Sequence, residues 1–153
     1  MFFNSKSVWY IKKNKKLMFK ISKKKVIIIT GSNGYIGSNL VKYFSKIKKY
    51  KIICFINKKK NQKITSKNIK YIKHDLMNKI PENKINEKID AVLHFAGPKN
   101  DRKFVNENKK KILQGLKIDQ NTIKFSIKKK IKLFIYASSA AVYDVKEGNK
   151  KNP

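Results

Sequence analysis

A buried strand that runs directly into three evenly spaced glycines and then into a helix is the most constraining feature of this chain. The run Lys25–Thr30 (KVIIIT) is apolar and β-branched, as expected for a strand that is covered on both faces of a sheet. Gly31, Gly34 and Gly37 follow it with the spacing G-x-x-G-x-x-G, and a helical apolar stripe begins at about Tyr35. This order of elements predicts a βαβ unit and therefore a parallel sheet.

The three glycines meet three separate steric demands. Gly31 lets the chain turn sharply off the strand, Gly34 leaves the backbone open to a diphosphate, and Gly37 lets the helix pack closely on the sheet. Free amides at the start of the helix then attract phosphate, supported by the helix dipole. The turn predicts nucleotide binding. It is not a phosphate-binding loop of the NTPase kind, because no Gly-Lys-Ser/Thr follows.

Strand and helix signals continue to alternate along the chain. The predicted strands are residues 25–30, 51–56, 69–73, 91–95 and 132–137, and helical stretches cover 35–47 and part of 104–130. We expect an α/β fold, a doubly wound parallel sheet of about five strands in the order 3-2-1-4-5 with helices on both faces. The expected core positions are Ile36, Leu40, Val41, Phe44 and Ile47 in the first helix and Ile112, Leu113, Leu116, Ile123 and Ile127 in the second.

Residues 1–24 differ from the domain predicted at 25–153. They mix apolar and basic residues without a stable period, and they lack the apolar run of a secretory signal. We expect a basic, disordered extension, or a start assigned too early with Met18 as the true start. The alternative is a segment on a membrane surface with aromatic anchors at Phe2, Phe3, Trp9 and Tyr10. No run of about 18 apolar residues occurs, so we expect a cytoplasmic protein without a membrane span.

The formal charge of +30 suggests a polyanion partner, but the kind of basic residue argues against one. Arg102 is the only arginine, whereas nucleic-acid surfaces use Arg heavily for its bidentate geometry. Lys, Ile and Asn share A- and T-rich codons, so base composition alone can produce this excess of lysine. We expect no specific nucleic-acid partner and keep a basic polyanion-binding protein as the lesser alternative. One cysteine, Cys54, and two histidines exclude a disulfide framework and leave too few ligands for structural zinc, so no metal is expected.

Four segments, in order, resemble the extended short-chain dehydrogenase/reductases, the NAD-dependent epimerase/dehydratase family that acts on sugar nucleotides. They are Thr30–Gly37 (TGSNGYIG), His74–Leu76 (HDL), Leu93–Gly97 (LHFAG) and Tyr136–Tyr143 (YASSAAVY). The resemblance covers about residues 25–144. It implies a Rossmann-type sheet that binds NAD or NADP.

The resemblance also implies roles for particular residues. The diphosphate would lie against Gly31, Asn33, Gly34, Tyr35, Ile36 and Gly37, the adenine beside Asp75 and Leu76, and the ribose and nicotinamide along Phe95, Ala96 and Gly97. Asn57 and Lys58 would meet the adenosine ribose, where the lack of a carboxylate leaves both NAD and NADP open. Ser139 matches the active-site Ser/Thr, whose hydroxyl bonds the substrate oxygen. We expect His94 to pack or bond locally and Cys54 to be a buried apolar residue.

Two departures from the family pattern limit the expected activity. The family's Tyr-x-x-x-Lys pair, in which Lys lowers the pKa of Tyr, is not found, because none of the seven tyrosines has Lys four residues later. Where the family has N-V-x-G-T-x-N, residues 115–121 read GLKIDQN, and only the final Asn matches.

We therefore expect the NAD(P)-binding N-terminal part of a sugar-nucleotide epimerase, dehydratase or reductase, truncated before the catalytic helix and without turnover by itself. The alternatives are a stand-alone NAD(P)-binding module without catalysis and the remnant of a split gene. A nucleotide-sugar substrate would need the missing half. The expected partners are a complementing C-terminal chain or a second copy in a homodimer.

Overall fold

The computed structural model describes residues 24–57, 64–98 and 108–138, and within them five strands form one parallel sheet in the order β3-β2-β1-β4-β5. The elements are β1 Lys25–Thr30, α1 Tyr35–Ser45, β2 Tyr50–Ile56, β3 Ile69–Lys73, a 3₁₀ helix Glu82–Lys84, β4 Ala91–His94, α2 Asn108–Lys128 and β5 Leu133–Tyr136. The predicted fold class, strand order and parallel pairing are confirmed, and each strand bound lies within one residue of its prediction. Except for Lys24, the predicted N-terminal extension lies outside the described residues.

The hydrophobic core has two halves, one on each face of the sheet. Alternate residues of β1 divide between them: Ile27 and Ile29 pack with Val41 of α1, whereas Ile28 packs with Phe125 of α2. The two helices therefore cover opposite faces, as predicted. Among the predicted core positions of α1, Val41 is buried and Leu40 and Phe44 pack against the core, but the prediction for Ile36 is wrong, because its side chain is exposed. Because β1 and β2 are buried on both sides, their sequences are continuous apolar runs instead of alternating ones.

The predicted core face of α2 is wrong. The positions expected in the core are exposed, namely Ile112, Leu113, Leu116, Ile123 and Ile127. The helix instead buries Thr122, Phe125 and Ser126, with Ile118 packed partly against the same cluster. Thr122 donates its hydroxyl to the carbonyl of Ile118, and Ser126 donates to Thr122, each at 2.8 Å. Both hydroxyls are satisfied within the helix, so these small polar residues can face the sheet.

The structure also bears on the predictions for the cysteine, for metal ligands and for membrane spans. Cys54 is buried in β2, as expected, and burial raises the pKa of its thiol to about 12. No group of three or more potential metal-ligating side chains occurs within residues 24–57, 64–98 and 108–138. Neither of the α-helices in this part of the chain is long and apolar enough to cross a membrane.

Truncating the centre of the sheet should destabilise the fold strongly. Ile53 is fully buried in β2, and we expect Ile53→Ala to lower the free energy of unfolding by about 2–5 kcal/mol through lost burial and a residual cavity. Ile127→Ala is the matched control, because this side chain is 71% exposed and its truncation should cost less than about 0.5 kcal/mol. Urea denaturation followed by circular dichroism measures both. Equal losses would contradict the buried face assigned to α2.

The thiol of Cys54 should be inert in the folded protein. The thiolate is the reacting species, so a pKa of about 12 leaves little of it at pH 8. We expect a thiol reagent to label the native chain at least about tenfold more slowly than the urea-unfolded chain. Since burial holds the proton on in the folded state, this group's contribution to stability should fall as the pH rises above 9.0, its ordinary pKa. Rapid labelling of the native chain would show that β2 is accessible.

Candidate functional site at the carboxyl edge of the sheet

The strand register brings most of the predicted site segments to one edge of the sheet. Thr30 at the end of β1 pairs with His94 at the end of β4, and Ile56 at the end of β2 pairs with Lys73 at the end of β3. The chain leaves β1 towards β2 on one side and later returns to β4 on the other. In open parallel sheets, ligands bind outside the carboxyl ends of the strands at such a reversal of strand order.

The glycine turn packs backbone directly against backbone. Gly31 has a φ of +65°, and the amide of Gly34 donates to its carbonyl at 2.8 Å. A Cβ on Gly31 would lie 2.5 Å from the carbonyl carbon of Phe95, and a Cβ on Gly37 would lie 2.7 Å from that of Gly31. The turn is therefore closed on one side by the segment after β4 and on the other by helix α1. The sharp turn at Gly31 and the close packing of the helix at Gly37 were predicted from the sequence, whereas the contact of Gly31 with Phe95 was not.

The start of α1 is suited to an anion. Gly34 is the N-cap and makes no side-chain capping bond, and the first turn contains no acidic residue. The first amides of a helix have no carbonyl partner within it, and they carry the positive end of the helix dipole. Gly34, Tyr35 and Ile36 are exposed here, whereas Asn33 is half-buried in the turn. This arrangement fits a diphosphate, because it offers amides, no competing carboxylate and no side chain at the N-cap.

The segments after β2 and β3 lie next to each other, as their register requires. Asn57 is exposed directly after β2, and Lys58 lies outside the described residues. Asp75 accepts a hydrogen bond from the amide of Met77 at 3.0 Å, so its carboxylate already braces its own turn. Leu76 is buried, and its carbonyl accepts from the side-chain amide of Asn121 at 2.8 Å. Contact of these residues with an adenine stays a prediction.

The segment after β4 is tied to the end of β1. Phe95 and Ala96 are half-buried, Gly97 is exposed, and Ser139 lies outside the described residues. The amides of Phe95 and Ala96 both donate to the hydroxyl oxygen of Thr30, at 3.1 and 3.2 Å. One buried hydroxyl thus fixes the backbone along one wall of the crevice between β1 and β4.

A chain of polar side chains continues from that hydroxyl. Thr30 Oγ1 lies 2.6 Å from His94 Nδ1, His94 Nε2 lies 2.9 Å from Asp119 Oδ1, and Tyr136 donates its hydroxyl to Asp119 Oδ2 at 2.9 Å. The bond to Asp119 raises the pKa of Tyr136. His94 is fully buried and does bond locally, as expected.

Sequence reasoning assigned no role to Thr30, Asp119 or Tyr136 in this chain of bonds, and none to Asn121. One feature of the sequence could have indicated a role for Asp119. The chain has only nine acidic residues, and Asp119 is an acidic residue in the helix that packs on His94, at the position where the family motif has Thr.

Comparison with known proteins agrees with the family resemblance that the sequence motifs indicate. The model of the family described as "NAD dependent epimerase/dehydratase family" matches residues 27–153. No curated protein matches the chain significantly in sequence.

Solved structures share the fold. The UDP-N-acetylglucosamine 4-epimerase of Methanobrevibacter ruminantium has a TM-score of 0.69 at 26% identity, over 85% of this chain and 43% of that one. The UDP-glucose 4-epimerase of Bifidobacterium longum, in complex with NAD+ and UDP, has a TM-score of 0.67 at 25% identity, over 80% and 40%. The enzyme WbmH of Bordetella bronchiseptica, in complex with NAD+, has a TM-score of 0.64 at 21% identity, over 80% and 42%, and supports the fold alone. The chain spans about two fifths of the length of these structures.

A methyl group at Gly37 should disturb the turn, whereas one at Gly97 should not. We expect Gly37→Ala to lower the free energy of unfolding by about 1–3 kcal/mol, because its Cβ would overlap the backbone of Gly31. Gly97→Ala meets no atom within 4 Å and should change stability by less than about 0.5 kcal/mol. Thermal unfolding of both variants measures the difference. A Gly37→Ala variant as stable as the parent would contradict the close packing of α1 on the turn.

Proposed function

Because this chain belongs to the NAD-dependent epimerase/dehydratase family, we propose that it binds NAD across the carboxyl edge of its sheet, as the cofactor-binding part of an enzyme acting on nucleotide sugars. The observation that carries the proposal is the uncapped start of α1, which lies at the reversal of strand order directly after a glycine turn. An isolated glycine motif is weak support, but here the strand, the turn, the helix and the family occur together.

The residues of this chain would hold the cofactor in three places. The turn from Gly31 to Gly37 would bind the diphosphate through backbone amides, and Asn57, with Lys58, would meet the adenosine ribose. Asp75 and Leu76 would flank the adenine, and the segment Phe95–Gly97 would line the ribose and nicotinamide. The sequence left NAD and NADP open, and the family description favours NAD. When bound, the nicotinamide ring supplies hydride transfer.

Turnover requires groups beyond these. Ser139 is proposed to bond the substrate oxygen, but a Tyr-x-x-x-Lys pair to move the proton is not found in this sequence. We propose that the chain alone binds NAD without oxidising a nucleotide sugar, and that activity needs the remainder of the fold on a complementing chain or a longer product. The matched structures, which are more than twice as long, support this proposal. A stand-alone NAD-binding module is the second candidate, favoured by the same uncapped helix start.

Changing the charge at the N-cap should separate cofactor binding from stability. Gly34 has extended backbone angles (φ −77°, ψ 172°), so other residues can adopt them, and Asp is a better N-cap than Gly. A Cβ at this position would lie 3.2 Å from the carbonyl oxygen of Gly31, so any substitution carries a small steric cost. We expect Gly34→Asp to weaken NAD binding at least about tenfold by repelling the diphosphate. Gly34→Asn has the same shape without the charge and should lose less affinity. Isothermal titration with NAD and with NADP measures binding, and thermal unfolding measures stability.

Three outcomes would contradict this proposal. If the parent chain binds neither dinucleotide, the cofactor proposal fails. Equal losses in Gly34→Asp and Gly34→Asn would show that the diphosphate does not lie at this helix start. Oxidation of a nucleotide sugar by the parent chain would contradict the expected lack of turnover. RNA binding that persists equally in both variants, without NAD binding, would instead favour the basic polyanion-binding alternative.

A further inference from the structure

The polar chain of side chains from Thr30 to Tyr136 joins four separate elements, β1, β4, α2 and β5, beside the crevice where the cofactor is proposed to bind. Thr30 ends β1, His94 ends β4, and Asp119 reaches them from α2. The imidazole of His94 is fully buried, while the carboxylate of Asp119 is one-fifth exposed. The rings of Phe134 and Tyr136 on β5 each lie 5.7 Å from the imidazole, so the ring is packed from the β5 side as well.

The hydrogen-bond geometry assigns the protons that lie between Thr30, His94 and Asp119. A threonine hydroxyl has two acceptor positions and one proton to donate. Both acceptor positions of Thr30 are taken by the amides of Phe95 and Ala96, so its proton must go to His94 Nδ1. Nδ1 is therefore an acceptor without a proton, and Nε2 carries the proton that His94 donates to Asp119.

A protonated imidazole would not fit this arrangement. With a proton on Nδ1 as well, His94 would present a donor to Thr30, which has no acceptor position left unless it releases one of the two amides. The carboxylate of Asp119 accepts from Nε2 on one oxygen and from the Tyr136 hydroxyl on the other. The network is complete with a neutral imidazole and an ionised carboxylate.

We propose that Asp119 is a positioning residue for the cofactor site: it holds His94 as the neutral Nε2–H tautomer, which orients the Thr30 hydroxyl and so fixes the backbone of Phe95 and Ala96 along the crevice. The role in cofactor binding rests on the proposed function, whereas the tautomer and the backbone restraint do not. Asp119 would not itself touch the cofactor, since it acts through two intervening side chains. The raised pKa of Tyr136 agrees with a hydroxyl that donates a hydrogen bond to the carboxylate of Asp119 and keeps its proton.

Nitrogen-15 NMR of the full chain tests the tautomer directly. The chain has only two histidines, so long-range proton–nitrogen correlations give two imidazole patterns, and His74, which lies 3.3 Å from the carbonyl of Asn78, is the internal reference. We expect the buried His94 to show a single neutral Nε2–H pattern at pH 7. An Nδ1–H pattern, or a doubly protonated ring in the parent chain, would overturn the proposal even if no variant folds.

A matched pair of carboxylate variants distinguishes a role of Asp119 in positioning the backbone from a general contribution to stability. Asp90 accepts from the amide of Val26 at 2.7 Å, at the opposite end of β1, so Asp90→Asn also removes a carboxylate without touching the crevice. We expect Asp119→Asn to reduce the hydrogen-exchange protection of the Phe95 and Ala96 amides and to weaken NAD binding, each about tenfold. Asp90→Asn should leave NAD affinity unchanged, and any loss of protection that it causes through global unfolding should be shared by amides throughout the sheet instead of being concentrated at Phe95 and Ala96.

The possible outcomes separate this inference from the proposed function. If the parent chain binds NAD and Asp119→Asn keeps both affinity and amide protection, the positioning role is wrong and the cofactor proposal stands. If the parent chain does not bind NAD, the proposed function fails, and the tautomer and amide protection still decide whether Asp119 fixes this backbone. If both variants lose protection equally, Asp119 contributes only general stability and the proposal is overturned.

Discussion

The structure depends on a close approach of backbone to backbone where β1 ends. Gly31 leaves the strand with a left-handed φ against the carbonyl of Phe95, and Gly37 packs on the carbonyl of Gly31. No side chain can be inserted at either contact without moving a strand or a helix. This approach sets the position of the α1 start, and it places Thr30 within reach of two amides after β4. The local geometry of the candidate site thus follows from two missing Cβ atoms.

The sequence predicted the sheet well and the outer helix poorly, for physical reasons. A continuous apolar run such as Ile52–Ile56 predicts a strand that is buried on both faces of a sheet. The glycine turn then predicts a strand before it and a helix after it. Helix α2 is different because its buried face includes Thr122 and Ser126, whose hydroxyls bond within the helix, while isoleucines and leucines lie on the exposed side. Periodicity of apolar residues then indicates the wrong face. Likewise, the glycines could be assigned from spacing, whereas the contact of Asp119 with His94 joins residues 25 positions apart and needs the fold itself.

The few carboxylates in the described residues all have specific partners. Asp75 and Asp90 accept backbone amides, Asp119 accepts from His94 and Tyr136, and Glu82 and Glu87 pair with Lys128 and Lys51, at 2.9 and 2.5 Å. Three of them therefore bond the backbone or a buried side chain, where loss of the acceptor leaves a donor unsatisfied. The two glutamates form partly exposed ion pairs, which contribute less. The lysines make up most of the positive charge, and within the described residues they far outnumber these five carboxylates, so most of them have no carboxylate to pair with.

That asymmetry bears on how an anion would be localised on a chain with a net charge of +30. Lysines spread along the whole sequence raise the local concentration of any anion, but a diffuse field specifies no position and is screened by salt. The start of α1 adds what lysines cannot, namely several amides pointing the same way from a rigid helix with no carboxylate in its first turn. The carboxylate of Asp119, which is one-fifth exposed, already accepts hydrogen bonds from two donors, His94 and Tyr136. Specific binding would therefore depend on backbone amides placed by glycines, while the lysine excess would act mainly on the rate of encounter.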